Sequence, residues 1–225
     1  YDLVDTRRAP SIHADYHELW DETQEFQPIC VGQHSTCFVQ GLARSELMND
    51  IVLIAIWEEA PDLGHMMNLF YTGVGKVNAA MTASEVITKY RPKRIINFGT
   101  AGGITVAPGF YQCTQFVQRD MTCEALGCVP GQTPFETAVH IGNTAGLTCS
   151  TGDNFVMNPV LTIPADVVDM EAYAIAKACE KHGVEFVCWK YISDQANQHA
   201  HNDWKQQVSQ GQPHYMTKLK ELNLL

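Results

Sequence analysis

The stretch Val167-Val-Asp-Met-Glu171-Ala-Tyr-Ala-Ile-Ala-Lys-Ala-Cys-Glu-Lys-His-Gly183-Val-Glu-Phe-Val-Cys-Trp-Lys-Tyr-Ile-Ser-Asp194 decides the fold class, because it reads as one helix followed by one strand. Ala172, Ile175, Ala176 and Cys179 share one helical face, and Lys181-His182-Gly183 stops the helix with basic residues and a glycine. From Val184 to Ile192 the chain is mostly apolar and carries β-branched and aromatic residues, as a strand covered on both faces does. A helix and strand of this length make the crossover unit of a parallel sheet, which predicts a parallel partner strand ending near Val168. Glu171 and Asp194 then share one carboxyl edge, where sheets of this kind hold ligands. A plainer account makes Glu171 a helix-end acid and Asp194 a turn former, and the local pattern leaves both accounts open.

Working outward, Asp50-Ile-Val-Leu-Ile-Ala-Ile-Trp57 is an uninterrupted apolar run, which predicts a central parallel strand ending at Glu58-Glu59. Asn68 to Tyr71 predicts another strand, leading through Gly73 and Gly75 into a helix. The face expected against the sheet is Val77, Ala80, Met81, Ser84 and Ile87, with Pro92 beyond the helix end. Lys93 to Phe98 predicts a strand running into a turn, Gly99-Thr-Ala-Gly-Gly103, where missing side chains let the backbone approach a ligand. Cys113 to Arg119 and Leu147 to Ser150 read as strands, and Asp120 to Glu136 as a long loop. Helical spacing returns at Trp204 and Val208 and again at Tyr215, Leu219 and Leu222, broken at Gly211 and Pro213.

With 225 residues and 45% hydrophobic content, the chain is long enough for one sizeable core. Residues 1–47 are polar and weakly periodic, beyond a short helix expected around His17 to Thr23, and read as an extension to a single domain over 48–225. A net charge of -10 without a block of Lys or Arg argues against nucleic acid or an anionic membrane as partner, and favours a small molecule. No apolar run approaches the ~20 residues that span a bilayer, and the first residues do not form a basic region followed by an apolar core. Eight cysteines without CxxC spacing read as cytoplasmic thiols. Cys123 and Cys128 have no matching pair, and His199, His201 and Asp203 read as a polar loop, so neither a metal nor another cofactor is expected.

Taken in order, Thr72-Gly-Val-Gly-Lys-Val-Asn-Ala-Ala80, Asn97-Phe-Gly-Thr-Ala-Gly-Gly103, Ser150-Thr-Gly-Asp-Asn-Phe-Val156, Asp169-Met-Glu-Ala172 and Ile192-Ser-Asp194 resemble the methylthioadenosine/S-adenosylhomocysteine nucleosidases. Asp120-Met-Thr-Cys-Glu-Ala-Leu-Gly127 with Gly131-Gln-Thr-Pro134 adds a further match. That family sits in the wider purine nucleoside phosphorylase superfamily. The resemblance implies a single α/β domain with a central mixed sheet, largely parallel and partly barrel-like, flanked by helices. It also implies a homodimer acting on a purine nucleoside without a cofactor.

By the same resemblance, Asp194 is the general acid to the purine and Ser193 orients it; Glu171 takes the ribose hydroxyls and Met170 lies on the sugar. Glu59, rather than Glu58, stands for the water-activating glutamate. Phe155 and Val156 match the purine-binding pair, with Phe155 otherwise a core residue. Thr100, Ala101 and Gly102 line the nucleoside and water site. Lys190 stands where the nucleosidases usually carry an arginine, and the segment from Glu59 to Gly73 is shorter than the family norm. Related phosphorylases place a phosphate-binding arginine at the position of Asn97. Asn97 together with the anionic Glu59 therefore favours water over phosphate as nucleophile. Hydrolysis is the expectation, with a phosphorylase or a nucleoside-binding protein of weak turnover as alternatives.

Overall fold

The computed structural model describes residues 48–225. The extension expected over 1–47, with its short helix, lies outside the described residues. Eight strands form one mixed sheet: β1 (Asp50–Ile54), β2 (Leu69–Tyr71), β3 (Arg94–Gly103), β4 (Phe110–Gln118), β5 (Ile141–Gly142), β6 (Leu147–Thr151), β7 (Val167–Asp169) and β8 (Glu185–Asp194). Four helices accompany them: α1 (Lys76–Tyr90), α2 (Ala172–His182), α3 (Ala200–Gln207) and α4 (Gln212–Glu221).

β1 lies between β2 and β3 and is parallel to both. Its alternate residues serve two cores, which is why the run is apolar throughout. Ile51 and Leu53 pack with Ala79, Ala83, Val86 and Ile87 of α1 and with Ile175 and Cys179 of α2. Val52 and Ile54 pack on the other side with Leu63, Met66, and Tyr215 and Leu219 of α4. Beyond β1 the sheet closes on itself. β3 pairs β8 in parallel, β8 pairs β4 antiparallel, β4 and β6 and then β6 and β7 are parallel, and β7 returns antiparallel to β3. This ring is the barrel-like part of the sheet.

Several expectations change in detail. β7 and β8 are not parallel neighbours: β8 runs with β3, whereas β7 runs against it. Glu171 and Asp194 still reach one rim because β7 is three residues long and meets β3 only at Gly102 and Gly103, at the end of that strand where Asp194 also pairs. Gly99 to Gly103 is not a turn but the second half of β3. The face of α1 is rotated from the expected one. Ala79, Ala83, Val86 and Ile87 are buried while Val77 and Met81 are 69% and 67% exposed, because the small alanines permit the closest approach to the sheet. His199 to Asp203 is the start of α3 rather than a loop. The helical run breaks, as the spacing predicts, but between Val208 and Gly211, with Pro213 inside the first turn of α4 rather than in the break.

Candidate active site

Each acid reaches the rim by a separate local device. β1 ends at Ile54, and a 3-10 turn over Trp57–Glu59 swings Glu59 back, so that its Oε2 accepts from the Ala55 N–H at 3.2 Å. Glu59 is 3% exposed, whereas Glu58 faces solvent. Its Oε1 accepts from both the Thr100 N–H at 2.7 Å and the Thr100 hydroxyl at 2.8 Å. Burial raises the Glu59 pKa, against these two hydrogen bonds and the charge of Lys190.

Asp169 and Glu171 flank the entry to α2, yet their surroundings differ. Asp169 Oδ2 accepts from the Ala172 N–H at 2.8 Å, satisfying a free donor of the first helical turn. Thr151 donates to Oδ1 at 2.5 Å, and the Lys190 ammonium lies 2.9 Å from Oδ2 with both side chains 1% exposed. Burial alone would raise Asp169; the Lys190 charge and these hydrogen bonds hold it below the usual carboxylate range. Burial works against the charge on Lys190, but Asp169 together with the other groups around it raises its pKa well above the ordinary lysine value, so it stays protonated. Glu171 has one donor, the Gly75 N–H at 2.9 Å, and burial together with the neighbouring Asp169 pushes it up to about 8. Gly75 adopts φ 93°, which suits glycine and turns that N–H toward the acid just before α1 begins.

Asp194 is the last residue of β8. Its Oδ1 accepts from the Ala196 N–H at 2.9 Å, and its Oδ2 from the Ser193 hydroxyl at 2.9 Å. Burial raises its pKa against both bonds. β3 passes beneath without a side chain: a Cβ on Gly102 would stand 2.9 Å from Asp194 Oδ1 and 3.0 Å from Val168 Cγ2. Glycine in this strand therefore serves close approach.

The three acids line one cavity of about 260 Å³. Thr100, Ala101 and Gly102 form its floor, and Met170 and Ser193 lie beside the acids. Phe155 and Val156 enter from the loop after β6. Phe155 is 38% exposed, so it is not a core residue; its ring meets His201 and Trp204 edge-on, with centroids 6.0 and 6.5 Å away. Lys190 stands just behind this wall, committed to Asp169, and its Nζ would lie 3.1 Å from a Cβ on Gly99. Asn97, also behind the wall, is buried and donates to the Leu53 and Phe98 carbonyls, both at 3.0 Å.

Arg119, His201 and Trp204 are among the wall residues that escape a reading of the sequence. Arg119 donates to four carbonyls, those of Ser150, Asp169, Gly152 and Asn154, and ties the ends of β6 and β7 to the Phe155 loop. A lone arginine at a strand end before the long loop is its one visible sign. His201 and Trp204 come from α3, where Trp204 reads in sequence as ordinary helical spacing.

A family profile described as the phosphorylase superfamily matches residues 61–222. A 5′-methylthioadenosine/S-adenosylhomocysteine nucleosidase of Bacillus cereus (strain G9842) is 30% identical over 180 residues, covering 67% of this chain and 78% of that protein. Among solved structures, the Streptococcus pneumoniae MTA/SAH nucleosidase in complex with 8-aminoadenine superposes with a TM-score of 0.68 at 19% identity, over 79% of this chain and 100% of that one. The futalosine hydrolase of Helicobacter pylori strain 26695 superposes with a TM-score of 0.66 at 21% identity, over 73% and 92%. These two structural likenesses speak to the fold, and the sequence matches to descent. The chain belongs to the phosphorylase superfamily and, within it, to the 5′-methylthioadenosine/S-adenosylhomocysteine nucleosidases.

Proposed function

We propose that the protein is an N-glycosyl hydrolase that cleaves the bond between purine and ribose in an adenosine-type nucleoside, such as methylthioadenosine or S-adenosylhomocysteine. The observation that carries this reading is the convergence of Glu59, Glu171 and Asp194 on one cavity that also holds an exposed aromatic ring. Phe155 stacks on the purine, with backbone groups of Val156 at its edge. Asp194, seated by Ser193 and the Ala196 N–H, carries a proton to purine N7 as the glycosidic bond breaks. Its raised pKa suits an acid in that role.

Glu171 receives the ribose hydroxyls, and Met170 lies along the sugar. In its ionised form this side chain also stabilises positive charge developing on the sugar. Glu59 accepts a proton from the water whose oxygen bonds to the anomeric carbon, so the products are free base and free sugar. Thr100 holds Glu59 in place, and Lys190 acts on it through charge rather than contact, being bonded to Asp169. Asn97 spends its side chain on two backbone carbonyls and offers no cation to a phosphate. This supports water as the nucleophile.

The test is a nucleoside panel led by methylthioadenosine, assayed with and without phosphate while base and sugar products are followed. Free base and free sugar without phosphate are expected; strict phosphate dependence with ribose 1-phosphate as product would sink the reading. A homodimer is proposed on the Val77 and Met81 strip of α1, two apolar side chains one turn apart that the sheet leaves uncovered. Sedimentation should give twice the chain mass, and Met81→Asp should shift it toward one. Among the described residues no helix is long and apolar enough to cross a membrane, and the cysteines are free thiols. Both fit the proposed cytoplasmic setting.

A further inference from the structure

We infer that Trp204 is a positioning residue for the water-activating carboxylate, acting through Thr100; this rests on the assignment of Glu59 above. The indole Nε1–H of Trp204 donates to Thr100 Oγ1 at 3.1 Å, and the Thr100 hydroxyl donates its one proton to Glu59 Oε1 at 2.8 Å. Indole has a donor and no acceptor, so the direction of this relay is fixed. Accepting from Trp204 polarises the Thr100 hydroxyl and strengthens what it gives to the carboxylate.

The consequence is an asymmetric base. Oε1 is pinned by two short bonds from Thr100, while Oε2 takes the longer bond from the Ala55 N–H and remains the oxygen that takes the proton from water. Trp204 also meets the edge of the Phe155 ring, so one side chain touches both the purine-stacking aromatic and the support of the base. α3, which carries it, follows directly on the Asp194 segment. Seating of that helix therefore bears on both ends of the reaction, the proton donor and the proton acceptor.

Trp204→Phe keeps the ring and removes the N–H. Wild type and Glu59→Gln are assayed first on methylthioadenosine without phosphate. A phosphate requirement, or full activity in Glu59→Gln, would overturn the underlying assignment whatever Trp204 does. With that assignment standing, Trp204→Phe is expected to lower kcat about fivefold, the worth of one hydrogen bond, and to change KM less than about twofold. The acid limb of kcat/KM should move to higher pH, because Glu59 must be ionised to act and its anion has lost support. In a Thr100→Val background the same substitution should add nothing. An unmoved limb, a loss confined to KM, or an equal loss in the Thr100→Val background refutes the relay. Limb position and KM do not depend on how much of the variant is folded, so a partly unfolded preparation still distinguishes these outcomes.

Discussion

The corner of the cavity proposed to face the base and the corner proposed to face the sugar are assembled in opposite ways. Asp194 is held by its immediate chain neighbours, Ser193 and Ala196, and needs little else to be in place. The sugar side draws Glu59 from the end of β1, Thr100 from β3, Thr151 from β6, Asp169 and Glu171 from the entry to α2, and Lys190 from β8. A local acid can be placed by a short motif, whereas a corner of several carboxylates needs the closed ring of strands and a buried cation to restrain their repulsion. Within it, Asp169 and Glu171 diverge because Lys190 serves one directly and the other only at a distance.

The sharpest way to break this contrast is at the local corner. Asp194→Asn should lower kcat by ~10²–10⁴-fold with an unchanged melting temperature, since the proposed proton donor is lost and few distant contacts are; near-full turnover would remove Asp194 from the role proposed for it. Lys190→Met attacks the assembled corner instead. It leaves Asp169 charged and buried, and should destabilise the fold by ~3–5 kcal/mol in urea unfolding. If stability is unchanged, the corner does not depend on its cation.

Glu171→Gln probes the divergence between the two acids. A carboxyl moved from 4.5 to about 8 on folding contributes stability that is complete below 4.5 and lost as pH rises through about 8. Wild type minus Glu171→Gln stability should therefore fall across that window, by on the order of 5 kcal/mol. A difference that is flat or rises with pH would mean that Glu171 is ionised in the folded protein. Gly102→Ala joins the two corners, because its Cβ would press on Asp194 and Val168 together. A roughly tenfold to hundredfold fall in kcat is expected from misplacing the acid, read against a fold that persists by circular dichroism; wild-type kcat would show that Asp194 has room to spare.

The same contrast explains what is legible in the chain. β1, α2 and β8 can be read from apolar runs and from the Lys181-His182-Gly183 stop, since burial on both faces and helix ending are local matters. Asp194 and Glu171 can be placed on one rim, although for a different reason: a short β7 crossing the end of β3 does what a parallel crossover is expected to do. The buried face of α1 is not legible, because small residues occur all around it and only the sheet decides which of them approach. Nor are Arg119 and Trp204 legible as site residues. Their partners are a set of carbonyls from β6, β7 and the loop beyond, and a hydroxyl on β3, none of which leaves a mark in nearby sequence.

Asn97 also bears on how such an enzyme can change over evolutionary time. Its amide is stitched into the backbone of β1 and β3, away from the cavity and away from water. An arginine placed there would bring an unpaired charge into the core and leave the Leu53 carbonyl without its donor. A switch of nucleophile by this route is thus not one mutational step away. It requires the strands themselves to be refitted, so the reaction is inherited with the scaffold and substrate preference is the part left open to drift.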